Sequence, residues 1–258
     1  MADAPHIPST DLSGQVALVT GATSGLGRRF AQVLAGCGAR VALAGRRAER
    51  LDQVAEEIEA DGGTAFPLPL DMCDAEAVKA APAAVEQGLG APVSILVNNA
   101  GIPDAQRAHK MSLELIDAVL DTNLRGPYIL ACEVARRLIE LEQPGRIVNI
   151  SSVGAYHYAG GGAALYSITK AGIARMTEVL AVEWARYHIN VNGIAPGAFS
   201  SEMMDGMIER VGDITRHFPR KRLGQPEQLD GTLLYLVSPT SECVTGTVVV
   251  VDDGQGGR

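Results

Sequence analysis

Hydrophobic residues along the chain follow two alternating patterns: short β-branched runs, and longer stretches with helical spacing. At residues 49–60, for example, Leu51, Val54, Ala55 and Ile58 fall on one face of a predicted helix. Such alternation is typical of parallel strands joined by crossover helices. Strands are predicted at residues 16–20, 40–44, 64–70, 93–98, 146–150, 189–194 and 247–251.

The stretches between these strands have the spacing of helices. Asp74 precedes one of them, in a position where its carboxylate would cap the first turn. A loop-rich insertion is predicted at residues 196–225, and about 200–222 of it would form a lid over a substrate. Helices are predicted from the first glycine turn to about residue 37, and at 49–60, 74–87, 112–142, 164–187 and 227–236.

This pattern predicts a single α/β domain of the doubly wound, Rossmann type. Its parallel sheet would have about seven strands, with helices on both faces because most of the strands are apolar throughout. Residues 1–13 have mixed polarity and two prolines, so we expect a loose tail before a catalytic domain at 14–258. Ligands of such folds bind beyond the carboxyl ends of the strands.

Composition excludes several classes of function. A formal net charge of −8 argues against nucleic-acid binding, so the basic cluster at residues 216–222 is interpreted as a solvated loop. No apolar run approaches the roughly 18 residues that a membrane-spanning helix needs, so no membrane partner is expected. The five histidines show no metal-ligand spacing. Scattered cysteines without a signal peptide predict reduced thiols and a cytoplasmic location: Cys37, Cys73, Cys132 and Cys243.

A glycine-rich segment follows the first predicted strand and opens the first predicted helix. Glycine permits a tight turn and close approach of the backbone to a ligand, and the helix N-terminus offers N–H groups to pyrophosphate. This position indicates a dinucleotide-binding turn, although a purely structural turn has a similar composition. The residues assigned to the cofactor here are Gly21, Thr23, Ser24, Gly25, Leu26 and Gly27.

Tyr166 and Lys170 are four residues apart in a predicted helix, so their side chains share one face. A free tyrosine has a pKa near ~10, and a neighbouring ammonium lowers that pKa by favouring the phenolate. The pair is therefore a candidate for acid–base catalysis, and Lys170 could also hold ribose hydroxyls. Ser152 follows the strand predicted at 146–150 and reaches the same edge of the sheet, with Ser151 as the alternative.

Taken in order, these motifs resemble the classical short-chain dehydrogenase/reductase family over roughly residues 13–254. The first turn fits the family pattern TGxxxGxG. The resemblance implies an oxidoreductase that passes hydride between a nicotinamide cofactor and a carbonyl or alcohol substrate, with the protein supplying position and proton transfer. The other matching segments are Asp71, Asn98-Asn99-Ala100-Gly101, Asn123, the Ser–Tyr–Lys set and Pro196-Gly197.

The resemblance implies a catalytic role for four residues. Ser152 would orient the substrate oxygen, and Tyr166 would exchange a proton with it. Asn123 would hold a water behind Lys170 that connects the site to solvent. A capping or kinking role for Asn123 in its helix is the alternative.

The resemblance also implies further cofactor contacts. Asp71 and the backbone of Met72 would contact the adenine, and Asn99 would lie near the cofactor ribose. Alternatively, Asp71 is a turn residue, and Asn98 is expected to brace neighbouring backbone. The wall beside the nicotinamide would comprise Pro196, Gly197, Ala198 and Phe199, with Ser201 as an additional hydrogen-bonding residue.

Two positions depart from the family pattern. The interval from Ser152 to Tyr166 is one residue longer than usual and contains Gly160-Gly161-Gly162. A glycine run can absorb the extra residue without moving either end, but it leaves the shape of the pocket open. Asp253 stands where the family usually has a glycine.

The end of the second predicted strand indicates the choice of cofactor. NAD-preferring enzymes of this fold carry an acidic residue there, which binds the adenosine ribose. Here the strand runs into Gly45-Arg46-Arg47, which leaves room for a 2′-phosphate and offers guanidinium groups to bind it. NADP(H) is therefore predicted over NAD(H), with Arg46 as the better candidate than Arg47. The alternative is that both arginines begin a solvated helix.

The sequence constrains the identity of the substrate less closely than that of the cofactor. His157 and Tyr158 follow Ser152 and are predicted to line the pocket, together with Met203. Met204, Met207 and Ile208 add adaptable apolar surface, which suggests a partly hydrophobic carbonyl or alcohol. The resemblance implies a homotetramer, with a dimer as the next choice. A sugar-nucleotide epimerase and a non-catalytic sensor of the cofactor ratio are the alternative functions.

Overall fold

A computed structural model describes residues 9–158 and 160–256 of the chain. Its seven strands are β1 (Val16–Thr20), β2 (Arg40–Gly45), β3 (Thr64–Pro69), β4 (Ile95–Asn98), β5 (Gly145–Ile150), β6 (Ile189–Pro196) and β7 (Val248–Val251). They form one parallel sheet in the order β3-β2-β1-β4-β5-β6-β7. The direction of winding reverses between β1 and β4, and this reversal opens a crevice at their carboxyl ends. The predicted doubly wound fold is confirmed.

Helices cover both faces of the sheet. Alternate residues of β1 point to opposite faces, so Ala17 and Val19 belong to one core and Val16 and Leu18 to the other. The first core packs against α1, α2 and α8, and the second against α3, α5 and α6. The helices are α1 (Gly25–Gly36), α2 (Ala48–Ala60), α3 (Ala75–Leu89), α4 (Leu113–Leu120), α5 (Gly126–Glu140), α6 (Ala164–Trp184), α7 (Glu202–Val211) and α8 (Asp230–Val237).

The structure differs from the predicted elements in two places. The single helix predicted at 112–142 is divided, because a π-helical turn at Asp121–Arg125 separates α4 from α5. The insertion predicted as loop-rich contains the ten-residue helix α7. Ser201 caps α7 by accepting a hydrogen bond from the Met204 N–H at 3.2 Å, and acidic residues in the first turn favour it further.

The N-terminal segment is packed where the structure describes it. Residues 1–8 of the predicted loose tail lie outside the described residues. Leu12 is only 1% exposed, and its N–H donates to the Cys37 carbonyl at 2.8 Å. Residues 9–13 are therefore held against the end of α1, because Leu12 completes the core on that side.

Candidate active site

Tyr166 and Lys170 lie on the first two turns of α6, as their spacing predicts. Lys170 is 4% exposed, and its Nζ donates to the carbonyl of Ile150 at 2.7 Å. The same Nζ lies 5.6 Å from the centroid of the Tyr166 ring. Because Ile150 ends β5, this hydrogen bond ties the face of α6 that carries Tyr166 and Lys170 to the edge of the sheet.

The two serines after β5 have different environments. The Ser151 hydroxyl is buried and donates to the Lys170 carbonyl at 2.8 Å, which gives it a structural role in holding α6. The Ser152 hydroxyl accepts from the Gly154 N–H at 3.0 Å and also interacts with the phenol of Tyr166. The geometry therefore supports Ser152, rather than Ser151, as the partner of Tyr166.

Burial perturbs both titratable groups of this cluster. It raises the pKa of the Tyr166 phenol, an effect that the Ser152 hydroxyl opposes and the Asp104 carboxylate reinforces. Burial also lowers the pKa of Lys170 to about 8, so this residue still carries its charge at neutral pH. A protonated phenol beside a charged ammonium is suited to donating a proton, since the ammonium stabilises the phenolate that remains.

Asn123 occupies the middle of the π-helical turn and is 1% exposed. Its Oδ1 accepts from the Ile102 N–H at 2.8 Å, and its Nδ2 donates to the Ile102 carbonyl at 2.9 Å. A Cβ added at Gly101 would lie 3.5 Å from both Asn123 Oδ1 and Lys170 Nζ. Asn123 therefore braces the loop after β4 close to Lys170, and π-helical turns of this kind are frequent at functional sites.

The glycine turn after β1 lies in the crevice between β1 and β4. Gly21 has a φ of +68°, and a Cβ there would lie 2.8 Å from Asn99 Nδ2. At Gly27 a Cβ would come within 2.2 Å of the Gly21 carbonyl oxygen. Asn99 Nδ2 holds the turn from the other side by donating to the Thr20 carbonyl at 2.9 Å. The close packing requires glycine at both positions and shapes a backbone cradle at the N-terminus of α1.

This cradle fits the pyrophosphate of a dinucleotide. Ser24 occupies the N-cap of α1, but its hydroxyl accepts from Arg47 Nη2 at 3.1 Å instead of capping the first turn. The N–H groups of Gly25, Leu26 and Gly27 are thus left at a positive helix end that favours an anion. Thr23, on the same turn, accepts from Arg47 Nη2 at 2.7 Å.

The end of β2 carries a glycine and two arginines. A Cβ at Gly45 would lie 3.0 Å from Thr23 Cγ2, so the acidic side chain typical of NAD sites has little room there. Arg46 is exposed and makes no hydrogen bond or ion pair with any other described residue. Arg47 instead reaches back over the glycine turn.

The remaining predicted cofactor residues surround the same edge of the sheet. Asp71 Oδ1 accepts from the Cys73 N–H at 3.0 Å, as expected for a turn residue, and Met72 is buried beside it. Pro196 ends β6, and a Cβ at Gly197 would meet the Gln255 side-chain oxygen at 2.4 Å. The Phe199 ring belongs to the core, which leaves only its backbone for a cofactor wall.

The three residues predicted to line the substrate pocket are exposed to solvent. His157 is exposed, and Tyr158 and Met203 are 54% and 40% exposed. Met204, Met207 and Ile208 are half-buried on one face of α7. Met203 lies one helical turn before Met207 and borders this face, but it is more exposed than the other three residues.

Asp253 and the basic cluster meet at the C-terminal end of the lid. Arg220 Nη1 and Arg222 Nε lie 2.9 and 2.8 Å from the Asp253 carboxylate. Both arginine side chains remain largely exposed, so this cluster lies in a solvated loop in which two members pair with Asp253. A bridge between Phe199 and Gly224 closes the base of the lid.

Two functional candidates were missed from the sequence. Asp104 is 2% exposed, and its Oδ2 accepts from the N–H groups of Leu165 at 2.8 Å and Tyr166 at 3.4 Å. Glu202 pairs with Arg47. Each contact joins residues more than 60 positions apart, and the only local signal for Asp104 was a carboxylate shortly after β4.

Other classes of site find no support in the described part of the chain. No cluster of three or more His, Cys, Asp or Glu side chains could hold a metal ion there. No described helix is both long and apolar enough to cross a membrane. All four cysteines are free thiols.

Comparison with known proteins identifies the family. The family model for short chain dehydrogenases matches residues 15–211. Gluconate 5-dehydrogenase from Gluconobacter oxydans is 39% identical over 252 residues, covering 96% of this chain and 97% of the relative. A short-chain type dehydrogenase/reductase from Mycobacterium marinum superposes with a TM-score of 0.92 at 33% identity, covering 96% of this chain and 98% of that one.

A second solved structure carries a nicotinamide cofactor. A putative 2-deoxy-D-gluconate 3-dehydrogenase from Agrobacterium tumefaciens, solved with bound NADP, has a TM-score of 0.86 and 35% identity, covering 95% of this chain and 98% of that one. These similarities agree with the family match and with the cluster of Ser152, Tyr166 and Lys170. The chain belongs to the short-chain dehydrogenase/reductase family and is an oxidoreductase of that family.

Proposed function

We propose that this enzyme transfers hydride between NADP(H) and a ketone or secondary alcohol. The observation that carries the proposal is the approach of Ser152, Tyr166 and Lys170 at the carboxyl edge of the sheet. That edge also carries the glycine cradle, so a nicotinamide bound along it would be near the tyrosine. The same convergence argues against a sensor that binds the cofactor without catalysis.

Each side chain has a separate task in this mechanism. The cofactor, when bound, supplies or accepts hydride. The hydroxyls of Ser152 and Tyr166 hold the substrate oxygen, and Tyr166 gives that oxygen a proton in reduction or takes one in oxidation. Lys170 stabilises the phenolate by its charge, and Asn123 keeps the loop after β4 in place and is proposed to hold a water that relays protons to solvent.

The preference for NADP(H) rests on Gly45, Arg46 and Arg47. The position of Gly45 disfavours a carboxylate, Arg46 is exposed, and Arg47 lies over the glycine turn. Guanidinium groups bind phosphate in a bidentate way, whereas an unphosphorylated ribose gains little from them. The Agrobacterium dehydrogenase described above, which was solved with bound NADP, supports the same assignment.

The remaining cofactor contacts are proposed from their positions at this edge. Asp71 and the Met72 backbone would contact adenine, and Asn99 would lie by the ribose. Pro196, Gly197 and the Phe199 backbone would flank the nicotinamide, with Ser201 donating or accepting a hydrogen bond. His157, Tyr158 and Met203 would line the substrate side of the pocket, together with the neighbouring Met204.

We also propose a homotetramer in a reducing, cytoplasmic setting. Helices α5 and α6 expose apolar side chains along a shared groove of about 360 Å³. Tyr235 on α8 and Val250 on β7 form a second exposed apolar face. Two separate faces of this kind are what a closed assembly of four copies requires. The exposed apolar residues on these helices are Tyr128 and Val179, which line the groove, and Ile168 and Val182.

The experiment that tests the function measures consumption of NADPH and NADH against a panel of ketones that includes sugar acids, 3-oxoacyl thioesters and xenobiotic ketones. We expect turnover with at least one class and a higher kcat/KM with NADPH. Arg46→Ala and Arg47→Ala should each reduce that preference roughly tenfold. Absence of turnover across the panel, or preference for NADH in the wild-type enzyme, would contradict the proposal.

A further inference from the structure

The first residue of α7 pairs with two arginines from another part of the fold. Glu202 Oε2 lies 3.0 Å from Arg47 Nη1, and Glu202 Oε1 lies 3.1 Å from Arg50 Nη1. Arg47 follows β2 directly, and Arg50 is in the first turn of α2. One carboxylate therefore bridges the start of the lid to the carboxyl end of β2.

The two guanidinium groups form an anion site beside the glycine turn. Arg47 uses its second amino group, Nη2, to hold Thr23 and Ser24 of that turn, while Nη1 faces Glu202. The lid is also close to the turn at this point, because a Cβ at Gly25 would lie 3.1 Å from Ser201 Cβ. The carboxylate of Glu202 thus occupies a position between two cations at the mouth of the dinucleotide cradle.

We infer that Glu202 occupies the binding place of the cofactor's adenosine 2′-phosphate and must leave when NADP(H) binds. The inference rests on the proposed function and adds two residues to it, Arg50 as a phosphate ligand and Glu202 as an internal competitor. A phosphate offers more charge and more acceptor oxygens than a carboxylate, so it displaces Glu202 from the arginines. A 2′-hydroxyl lacks this charge and leaves the pairs intact.

This competition lowers the affinity of the protein for NADP(H) and leaves its affinity for NAD(H) unchanged. The side chains of Arg47, Arg50 and Glu202 are about half exposed, so each ion pair is weak. Removing the carboxylate should therefore tighten binding of NADPH by about two- to tenfold. Because Glu202 begins α7, its release also frees the first turn of the lid from β2.

The test measures dissociation constants of NADPH and NADH by nucleotide fluorescence, for the wild-type protein and Glu202→Gln. Asp205→Asn is the matched control, because it removes one negative charge from the same first turn and Asp205 pairs with no cation among the described residues. We expect Glu202→Gln to tighten NADPH two- to tenfold and to change NADH less than twofold. Asp205→Asn should change neither constant by more than twofold.

A second variant identifies the cations involved. In an Arg50→Gln background, the gain produced by Glu202→Gln should shrink, because one of the two pairs that compete with phosphate is already absent. An unchanged or weaker affinity of Glu202→Gln for NADPH would overturn the inference, and so would an equal gain in Asp205→Asn. Tighter binding of NADH than of NADPH by the wild-type protein would instead overturn the cofactor assignment, whatever the variants do.

Discussion

Lys170 illustrates how a single buried charge connects stability with catalysis. Its ammonium is almost fully buried, held by one backbone carbonyl and placed beside a phenol. Burial disfavours the charged form, which is why the pKa falls to about 8. The residue keeps its charge at neutral pH, where the mechanism needs it, and the folded state is destabilised as a consequence.

Because of this destabilisation, the free energy of unfolding depends on pH, and the sign of the dependence can be derived. The folded pKa of about 8 lies below the ordinary value of 10.5, so the unfolded state binds more protons between these two pH values. The destabilisation is complete below pH 8 and disappears as the pH rises towards 10.5. Relative to Lys170→Met, the wild-type free energy of unfolding should therefore rise by about 3 kcal/mol across this window, measured by urea denaturation.

An exposed lysine provides the control for this titration. Lys79 is 49% exposed in its side chain and pairs with Glu76 at the surface, so the difference in free energy of unfolding between the wild type and Lys79→Met should not rise comparably over this pH range. A constant difference between wild type and Lys170→Met from pH 7 to pH 10 would show that the Lys170 pKa is not lowered by burial.

At the scale of elements, the start of α6 depends on a distant carboxylate. Ala163 is the N-cap of this helix and has no side chain that can accept a hydrogen bond. Asp104 supplies the acceptor from the loop after β4, and Gly162 packs against the backbone of Gln106 on that same loop. The segment that positions Tyr166 is therefore fixed by the loop opposite it.

We predict that Asp104→Ala lowers the free energy of unfolding by about 1–3 kcal/mol, because buried N–H groups lose their acceptor. It should also lower kcat, since Tyr166 is the third residue of α6. Asp104→Asn retains an acceptor and should recover most of both losses. Urea denaturation and steady-state kinetics measure the two effects.

Asp74→Ala is the matched control, because Asp74 caps α3 by accepting from the Glu76 and Ala77 N–H groups at 3.1 and 3.0 Å. It should cost about 1 kcal/mol of stability and leave kcat unchanged. If Asp104→Ala and Asp74→Ala affected kcat alike, Asp104 would have no particular role in positioning Tyr166.

Local sequence patterns predicted helices and strands well where one face of the element is buried. They predicted less well where contacts between distant residues determine the local structure. The N-cap of α3 at Asp74 and the run of strands follow from residues close in sequence. The π-helical turn around Asn123 does not, because that turn depends on hydrogen bonds to Ile102 across the site. Helix α7 was missed because Gly206 and the flanking loops weaken its pattern, although Ser201 and Glu202 provide a capped, acidic start.

Contacts between distant residues also limited the prediction of the site from the sequence. Tyr166, Lys170 and Ser152 were predictable, because helical spacing and the common sheet edge place them together. Arg47–Glu202 and Asp104–Leu165 were not, since each joins elements whose relative position only the folded chain defines. The structure adds Arg50 and Glu202 to the two arginines that the sequence places at the end of β2.

On the scale of the whole molecule, exposed apolar helix faces indicate association. Ile168, Val179 and Val182 are 64%, 41% and 81% exposed and recur along α6 at helical spacing. We propose that this stripe is an interaction site, because contiguous exposed apolar surface favours contact with another protein. We propose that the groove formed with α5 receives a second copy of the chain, because two-fold contacts place the same helices against each other.

We predict that light scattering at micromolar concentration shows a tetramer and that Val182→Glu shifts it to dimers or monomers, since the carboxylate would be buried without a partner. Val211→Glu is the control, because Val211 is 45% exposed on α7, a helix that belongs to neither proposed face. A wild-type protein that is monomeric under these conditions would reject the assembly.

The measurement that tests the central claim most directly is the turnover of Tyr166→Phe. The substitution removes the phenolic hydroxyl and keeps the ring that packs beside Lys170. We predict that kcat falls by about 10²- to 10⁴-fold with the best substrate of the ketone panel, while the dissociation constant for NADPH changes less than twofold. If Tyr166→Phe retained most of its turnover, the proton would come from another group and the proposed mechanism would be wrong.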